Sequence, residues 1–331
     1  MNRYKLFTCF ALLSGILFFS ETFAQQSRSV SIIFDSDMGP DYDDVGAIAL
    51  LHSLADSGQV KILATVASTK YDGVAALLDA FNTYFKRPDI PIGVPKGEAS
   101  VLRDFQHWSD SVIAKYPHSV KQNSDVPDAV EVYRKVLGAA SDKSVTIVTV
   151  GFLTNLAGLL ESKADKYSKL DGKELIIKKV KQLVCMAGTF PQGKEFNVHI
   201  DAASSRKVYS NWPTPVLFSG FEIGVKIKAG IPLISNTSIR NSPVKDAFRI
   251  SIPQDKNDID GRCSWDETAV LIAVKGYKPY YTTREGRIVV AEDGSNTWDP
   301  AGKGHQYIVE EKPFEVVAKL INDLIMHQPK K

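Results

Sequence analysis

Five aspartates, Asp35, Asp37, Asp41, Asp43 and Asp44, crowd the stretch "FDSDMGPDYDD" directly after the apolar run Val30 to Phe34. A carboxylate that leaves water without a partner costs several kcal/mol, and carboxylates side by side also repel one another. Something positive must sit among them. The common solutions are basic side chains and a hard cation such as calcium or magnesium, which takes oxygen ligands. No Lys or Arg occurs between Arg28 and Lys61, so the nearby sequence favours a metal, while distant chain could still supply a base.

Other readings of the cluster make different demands. A solvated acidic turn would use Asp41 or Asp43 to cap a helix beginning near Val45. An EF-hand fails on spacing: counted from Asp35, Gly39 is fifth where that loop needs its glycine sixth, and Gly46 stands in place of the closing glutamate. An aspartyl-phosphate phosphatase also opens with Asp-x-Asp after a strand, its first Asp the nucleophile, but this leaves Asp41, Asp43 and Asp44 unused.

The stretch "DSDMGPDYDDVGAIALL" resembles the opening signature of the nucleoside hydrolases, the inosine-uridine preferring family, with the pair Asp43-Asp44 displaced by two residues relative to the shorter form of that motif. Three further matches follow in order. "VGFLTNLAGLL" (150–160) looks like the family's Gly-x-Leu-Thr-Asn-Leu-Ala segment, "CMAGTFPQGKEFNVHIDAAS" (185–204) resembles its Met-x-Gly strand end and Glu-Phe-Asn triplet, and "SWDETAVLIAV" (264–274) sits where the family places a late Asp. The resemblance reaches from about Val30 to Val274 and implies a Rossmann-like α/β fold.

By resemblance, one Ca2+ is held by Asp37, Asp44, the backbone carbonyl of Thr154 and Asp266, and Asp37 also takes a proton from the water on that metal. Such a water attacks the anomeric carbon of a ribosyl group while the bond to the base nitrogen lengthens. Positive charge spreads over the sugar in this oxocarbenium-like transition state, so a nest of oxygens favours it over the ground state. The equivalents of Asp43, Glu195 and Asn197 hold the sugar hydroxyls in the family. The expected activity is cleavage of an N-glycosidic bond in a ribonucleoside or related ribosyl compound, by a possible homodimer or homotetramer.

The sequence departs from the family pattern at three places: "TFPQGK" (189–194) lacks an asparagine that some members carry upstream of Glu-Phe-Asn, and two further departures touch substrate. Ser68-Thr69 replaces a Gly-Asn pair, so Thr69 offers the sugar a hydroxyl in place of a two-sided amide. Trp265 stands where purine-cleaving members often place a His, and indole is no general acid at neutral pH, although it can stack on a base. These departures motivate an alternative, an exported nucleoside- or sugar-binding protein that keeps the calcium site but lacks turnover. His199 and Asp201 read as structural residues, Asp201 as a helix cap.

The elements that position these residues alternate. Apolar runs rich in β-branched residues recur at 30–34, 62–67, 90–94, 145–150, 183–187 and 216–219, separated by stretches with helical spacing at 45–54, 74–85, 129–140, 153–160 and 202–211. This pattern predicts a mostly parallel sheet with helices on both faces and chemistry at the strand C-terminal ends. Beyond Gly220 it loosens, then resumes with a helix from about Trp265 to Val274, a hairpin of Arg287 to Ala291 with Gln306 to Glu310, and a closing helix striped with Phe314, Val317, Leu320, Ile321, Leu324 and Ile325.

Arg3 and Lys5 before the apolar stretch Leu6 to Phe19, with small residues ahead of Ala24, predict a secretory leader cut after Ala24 and a periplasmic or secreted protein. About 307 residues then remain, read as one domain over 25–331 with no stable membrane insertion. Losing Arg3, Lys5 and Glu21 takes the formal charge from +2 to +1. That leaves no field to attract nucleic acid, and a small-molecule nucleoside suits the chain better. Cys185 and Cys263 lack the companions a zinc site needs and are expected as buried thiols.

Overall fold

A computed structural model describes residues 29–329; the leader expected over 1–24 lies outside the described residues. Twelve strands are numbered along the chain: β1 (Val30–Ser36), β2 (Val60–Ala67), β3 (Ile92–Gly93), β4 (Val145–Thr149), β5 (Val180–Met186), β6 (Gln192–Gly193), β7 (Val216–Ser219), β8 (Lys228–Ala229), β9 (Arg262–Cys263), β10 (Tyr281–Val290), β11 (Asn296–Asp299) and β12 (His305–Glu310). Ten of them form one sheet in the order β3-β2-β1-β4-β5-β7-β12-β10-β11-β6. Neighbours from β3 to β12 are parallel; beyond β12 they are antiparallel.

The chain steps outward from β1 through β2 to β3, then resumes at β4 on the other side of β1. In open parallel sheets such a reversal leaves a crevice at the strand C-terminal ends. Asp37, Asp41, Asp43 and Asp44 follow β1 and the Gly-Phe-Leu-Thr-Asn segment follows β4, so both acidic and glycine-bearing motifs arrive at that crevice.

Strand β1 reads as a continuous apolar run because it is covered on both faces. Ile32 and Phe34 enter one core, with Ile48 and Leu51 of helix Asp43–Asp56, Leu271 of helix Trp265–Lys275 and Ile321 of helix Phe314–Ile325. Ile33, of opposite parity, enters the other with Tyr133 of helix Ala129–Ala139, Leu156 of helix Thr154–Glu161 and Val208 of helix Ala202–Asn211. Helix Asp43–Asp56 is apolar all round because it packs against β2 and both of the helices Trp265–Lys275 and Phe314–Ile325. At Gly46 a methyl group would overlap the buried Glu267 carboxylate, so glycine leaves room for that side chain between the two helices. Asp44 and Asp266, in the first turns of these helices, lie side by side.

The expected C-terminal hairpin takes a different form. Arg287 to Val290 pair with β11, which lies inside the turn-rich stretch, while Tyr281 to Gly286 pair with β12. Strand β10 thus starts six residues earlier than its hydrophobic pattern shows, because its first half is mostly exposed and polar (Thr282, Arg284, Glu285). The closing helix packs as its stripe predicts, with Val317, Ile321 and Ile325 fully buried. Cys185 and Cys263 are buried free thiols. No helix among the described residues is long and apolar enough to cross a membrane.

Candidate active site

A cavity of about 250 Å³ opens in the crevice beyond β1, β4 and β5. Its floor is laced together by the strand ends. Val150 N donates to Asp35 O (2.8 Å), Ser68 N to Ser36 O (2.8 Å) and Phe152 N to the Ser68 hydroxyl (3.0 Å). The Ser36 hydroxyl donates to Asp44 and receives Met38 N at 2.9 Å, which turns the chain so that Asp37 faces the cavity. Asp35 points the other way. It is sealed beneath the floor, accepting from the Tyr133 hydroxyl (2.7 Å) and the Asn155 amide (3.1 Å), and burial pushes its carboxyl up to about 7.

Asp37, Asp43, Asp44 and Asp266 are all nearly or fully buried. Burial pushes the Asp37, Asp44 and Asp266 carboxyls well above the usual carboxylate range, and the surrounding aspartates push them further. One carboxylate oxygen each of Asp41, Asp44 and Asp266 lies within 4.8 Å of the others, and Asp44 Oδ2 is buried with no protein partner. An orphaned buried oxygen beside two further carboxylates fits a hard cation. Of the expected ligands, Asp44 and Asp266 belong to this grouping, Asp41 adds to it, and Asp37 lies beside Asp44 facing the cavity. Thr154 opens helix Thr154–Glu161 and its hydroxyl donates to Asp201 at 2.6 Å, while Val150 of the same segment lines the cavity.

The distant base left open by the sequence is also present. Arg262 on β9 forms an ion pair with Asp41 Oδ2 (2.6 Å) and, through Nε and Nη2, donates to Asp43 Oδ1 (3.0 and 2.8 Å). Its guanidinium carbon lies 5.1 Å from the Tyr42 ring centre and 5.0 Å from that of Trp265, and the Tyr42 hydroxyl donates to Asp258 at 2.6 Å. Burial works against the Arg262 charge, but Asp41, Asp43 and Asp258 outweigh it and hold the group protonated. The acidic cluster therefore has a built-in cation on one flank and an open position on the other.

Glu195 caps helix Phe196–Ile200, accepting from Asn197 N (2.8 Å) and Val198 N (3.2 Å), and also receives Gly188 N at 3.0 Å. The Asn197 amide donates to Val150 O (3.0 Å) and Met186 O (3.2 Å). Both residues line the cavity. Thr69 does not; its buried hydroxyl donates to Ser100 O at 2.9 Å, because the loop after β3 folds back over it. Trp265 lines the cavity beside Phe221, their rings stacked at 5.2 Å and 28°, with the indole N–H donating to Phe221 O at 2.9 Å. Phe221, 40% exposed, and Phe196, 45% exposed, complete an aromatic wall.

His199 ties to Asp293 O and Asp201 caps its helix, as structural residues do. Sequence reasoning missed Arg262, Phe221 and Phe196. Phe196 carried a signal as the middle residue of Glu-Phe-Asn, and Arg262 lies four residues before Asp266. Phe221, in a segment without periodicity, carried none.

Fold and site together define an α/β protein with a carboxylate-rich, cation-type pocket at the switch point of its sheet. A family model described as inosine-uridine preferring nucleoside hydrolase matches residues 32–320, and the chain belongs to that family. It is 29% identical over 209 residues to the pyrimidine-specific ribonucleoside hydrolase RihA of Salmonella schwarzengrund (strain CVM19633), covering 59% of this chain and 61% of that protein. To the protein of the same name from Shewanella sp. (strain ANA-3) it is 27% identical over 203 residues, covering 58% and 59%. The chain thus spans about three fifths of the length of these curated relatives. Among solved structures, the purine-preferring ribonucleoside hydrolase from Gardnerella vaginalis superposes with a TM-score of 0.69 at 18% identity, covering 89% of this chain and 99% of that one. The plant nucleoside hydrolase PpNRh1 does so with a TM-score of 0.68 at 18% identity, covering 90% and 99%. These likenesses show the fold.

Proposed function

We propose that this protein hydrolyses the N-glycosidic bond of nucleosides, with calcium as its cation and Asp37 as the general base. One observation carries the reading: carboxylates from the loop after β1, helix Asp43–Asp56 and helix Trp265–Lys275 meet in one cavity opposite an aromatic wall. The relatives whose names state an activity are nucleoside hydrolases, some pyrimidine-specific and some purine-preferring.

Asp41, Asp44 and Asp266 would hold the cation, and the all-oxygen donor set suits calcium. Bound there, it would acidify the attacking water and keep the buried carboxylates ionised. Asp37, beside that set and facing the cavity, receives the water proton. The water oxygen then bonds to the anomeric carbon as the C–N electron pair leaves with the base. Glu195, Asn197 and Asp43 present oxygens where positive charge develops on the sugar. Phe196, Phe221 and Trp265 offer apolar faces to the planar leaving group. None of these wall residues is an acid, so the leaving base takes its proton from another residue or from solvent.

The test is reducing-sugar release from purine and pyrimidine nucleosides, with added calcium and after chelation, for the wild type and Asp37→Asn. Release that chelation and the variant both abolish supports the proposal. Nucleoside binding without release would move the reading to a binding protein. Export follows from the same proposal through the leader expected over 1–24, and N-terminal sequencing of the protein from cell fractions checks it; sedimentation checks for a dimer or tetramer.

A further inference from the structure

The small formal charge of the chain conceals a division along the strands. At their C-terminal ends five carboxylates line the cavity against the single guanidinium of Arg262. At their N-terminal ends lies a second cleft, of about 670 Å³, between the first residues of β1, β2, β4 and β5 and the last turn of helix Ala129–Ala139. Lys61, Lys135, Lys143 and Lys181 line it against one carboxylate, Asp142, which Lys179 already holds at 2.9 Å. Strand register gathers three of them: Ser31 stands opposite Lys61 and Val145, Val145 stands opposite Val180, and Lys143 and Lys181 lie within two residues of that level. All four lysines are exposed, and none is paired with a carboxylate among the described residues. Positive charges gathered around one cleft without a counter-charge make a local field that favours an anionic partner from outside.

The chain itself indicates which anion meets this end first. Ser29 and Val30 line the cleft, so the leader expected over 1–24 joins the fold there. Nine residues separate its apolar stretch, which ends at Phe19, from Ser29, a reach of at most about 35 Å. We infer that the lysine-lined cleft docks this protein on the anionic surface of a membrane, with lipid phosphates as the groups recognised and the cavity beyond β1, β4 and β5 facing away. The inference stands apart from the hydrolase reading and uses none of that cavity's residues. Nucleic acid suits the cleft less well, because no aromatic side chain among its described residues offers a base a stacking face.

The experiment is co-sedimentation of the soluble protein recovered from cells, its N terminus defined by sequencing, with vesicles of equal parts phosphatidylglycerol and phosphatidylcholine and with vesicles of phosphatidylcholine alone. Binding is expected to the anionic vesicles only, and to fall at least about tenfold between about 50 and about 500 mM salt as screening shortens the reach of the lysines. Each lysine near an anionic surface strengthens binding about fivefold, so Lys61→Gln, Lys135→Gln, Lys143→Gln and Lys181→Gln together are expected to weaken it at least about 100-fold. Lys96→Gln, Lys194→Gln, Lys226→Gln and Lys256→Gln remove the same charge from exposed positions outside the cleft and are expected to leave most of the binding. Equal losses in the two sets overturn the cleft as the docking surface. Equal binding to both vesicle types, or binding to neither, overturns the inference outright. Capture by single-stranded DNA in place of anionic vesicles moves the partner to nucleic acid and likewise overturns it. Should the cleft variant not melt cooperatively, the pairs Lys61→Gln with Lys135→Gln and Lys143→Gln with Lys181→Gln are made separately, each expected to cost about 25-fold.

Discussion

Asp37 is the side chain on which the proposed chemistry turns: it faces the cavity beside the cation-type group while Asp35, two residues earlier, is sealed below the floor. Asp37→Asn keeps the shape and removes the proton acceptor, so kcat is expected to fall by roughly 10²–10⁴-fold with the melting temperature little changed. Single-turnover sugar release beside a thermal melt checks both halves. The motif's aspartates were legible because charge density after an apolar strand is rare without a neutralising partner. Which of them faces the cavity was legible only in part. Asp41 joins Asp44 and Asp266 in the cation-type group, and Arg262 pairs with it there.

Gly46 makes room, at the scale of elements, for the Glu267 side chain between helix Asp43–Asp56 and helix Trp265–Lys275. Gly46→Ala is expected to cost about 1–3 kcal/mol through overpacking against Glu267. Because the same displacement parts Asp44 from Asp266, calcium affinity measured by calorimetry should weaken in the folded variant. The closing helix behaves differently. Ile321→Ala is expected to cost about 2–5 kcal/mol by denaturant melt, with kcat unchanged below the transition, since its side chain fills the core away from the cavity. Periodicity revealed both helices, yet it could not reveal that β10 begins at Tyr281 or that β11 lies in a turn-rich stretch, because those strands are held by pairing rather than by burial of a regular face.

The stability of the whole molecule is expected to follow proton and cation. His52, fully buried against Phe85 and bonded to Asn82, has its pKa lowered to about 3 by burial and by the Arg87 charge. The unfolded chain therefore binds a proton near pH 6.5 that the folded chain refuses. Stability from this group is present above about 6.5 and is lost as pH falls toward about 3, by up to about 5 kcal/mol. His52→Gln should flatten that part of a stability-versus-pH curve measured with calcium held constant. Chelation should lower the melting temperature at neutral pH, since ligands drawn from separate segments bind a cation only when assembled; at 100 times Kd, calcium is worth about 2.7 kcal/mol.

Much of this architecture lies in local pattern. A strand buried on both faces must read apolar, a helix between a sheet and two helices must be apolar all round, and acids at a strand end must find a positive partner. Those rules place β1, the helices and the acidic motif without reference to distant chain. The partner itself lay beyond them. Arg262 reaches Asp43 across 219 residues, Trp265 stacks on Phe221, and Thr69 is turned away by the loop carrying Ser100. Each contact is set by strand order and by how closely helices pack, and no spacing along the chain encodes either.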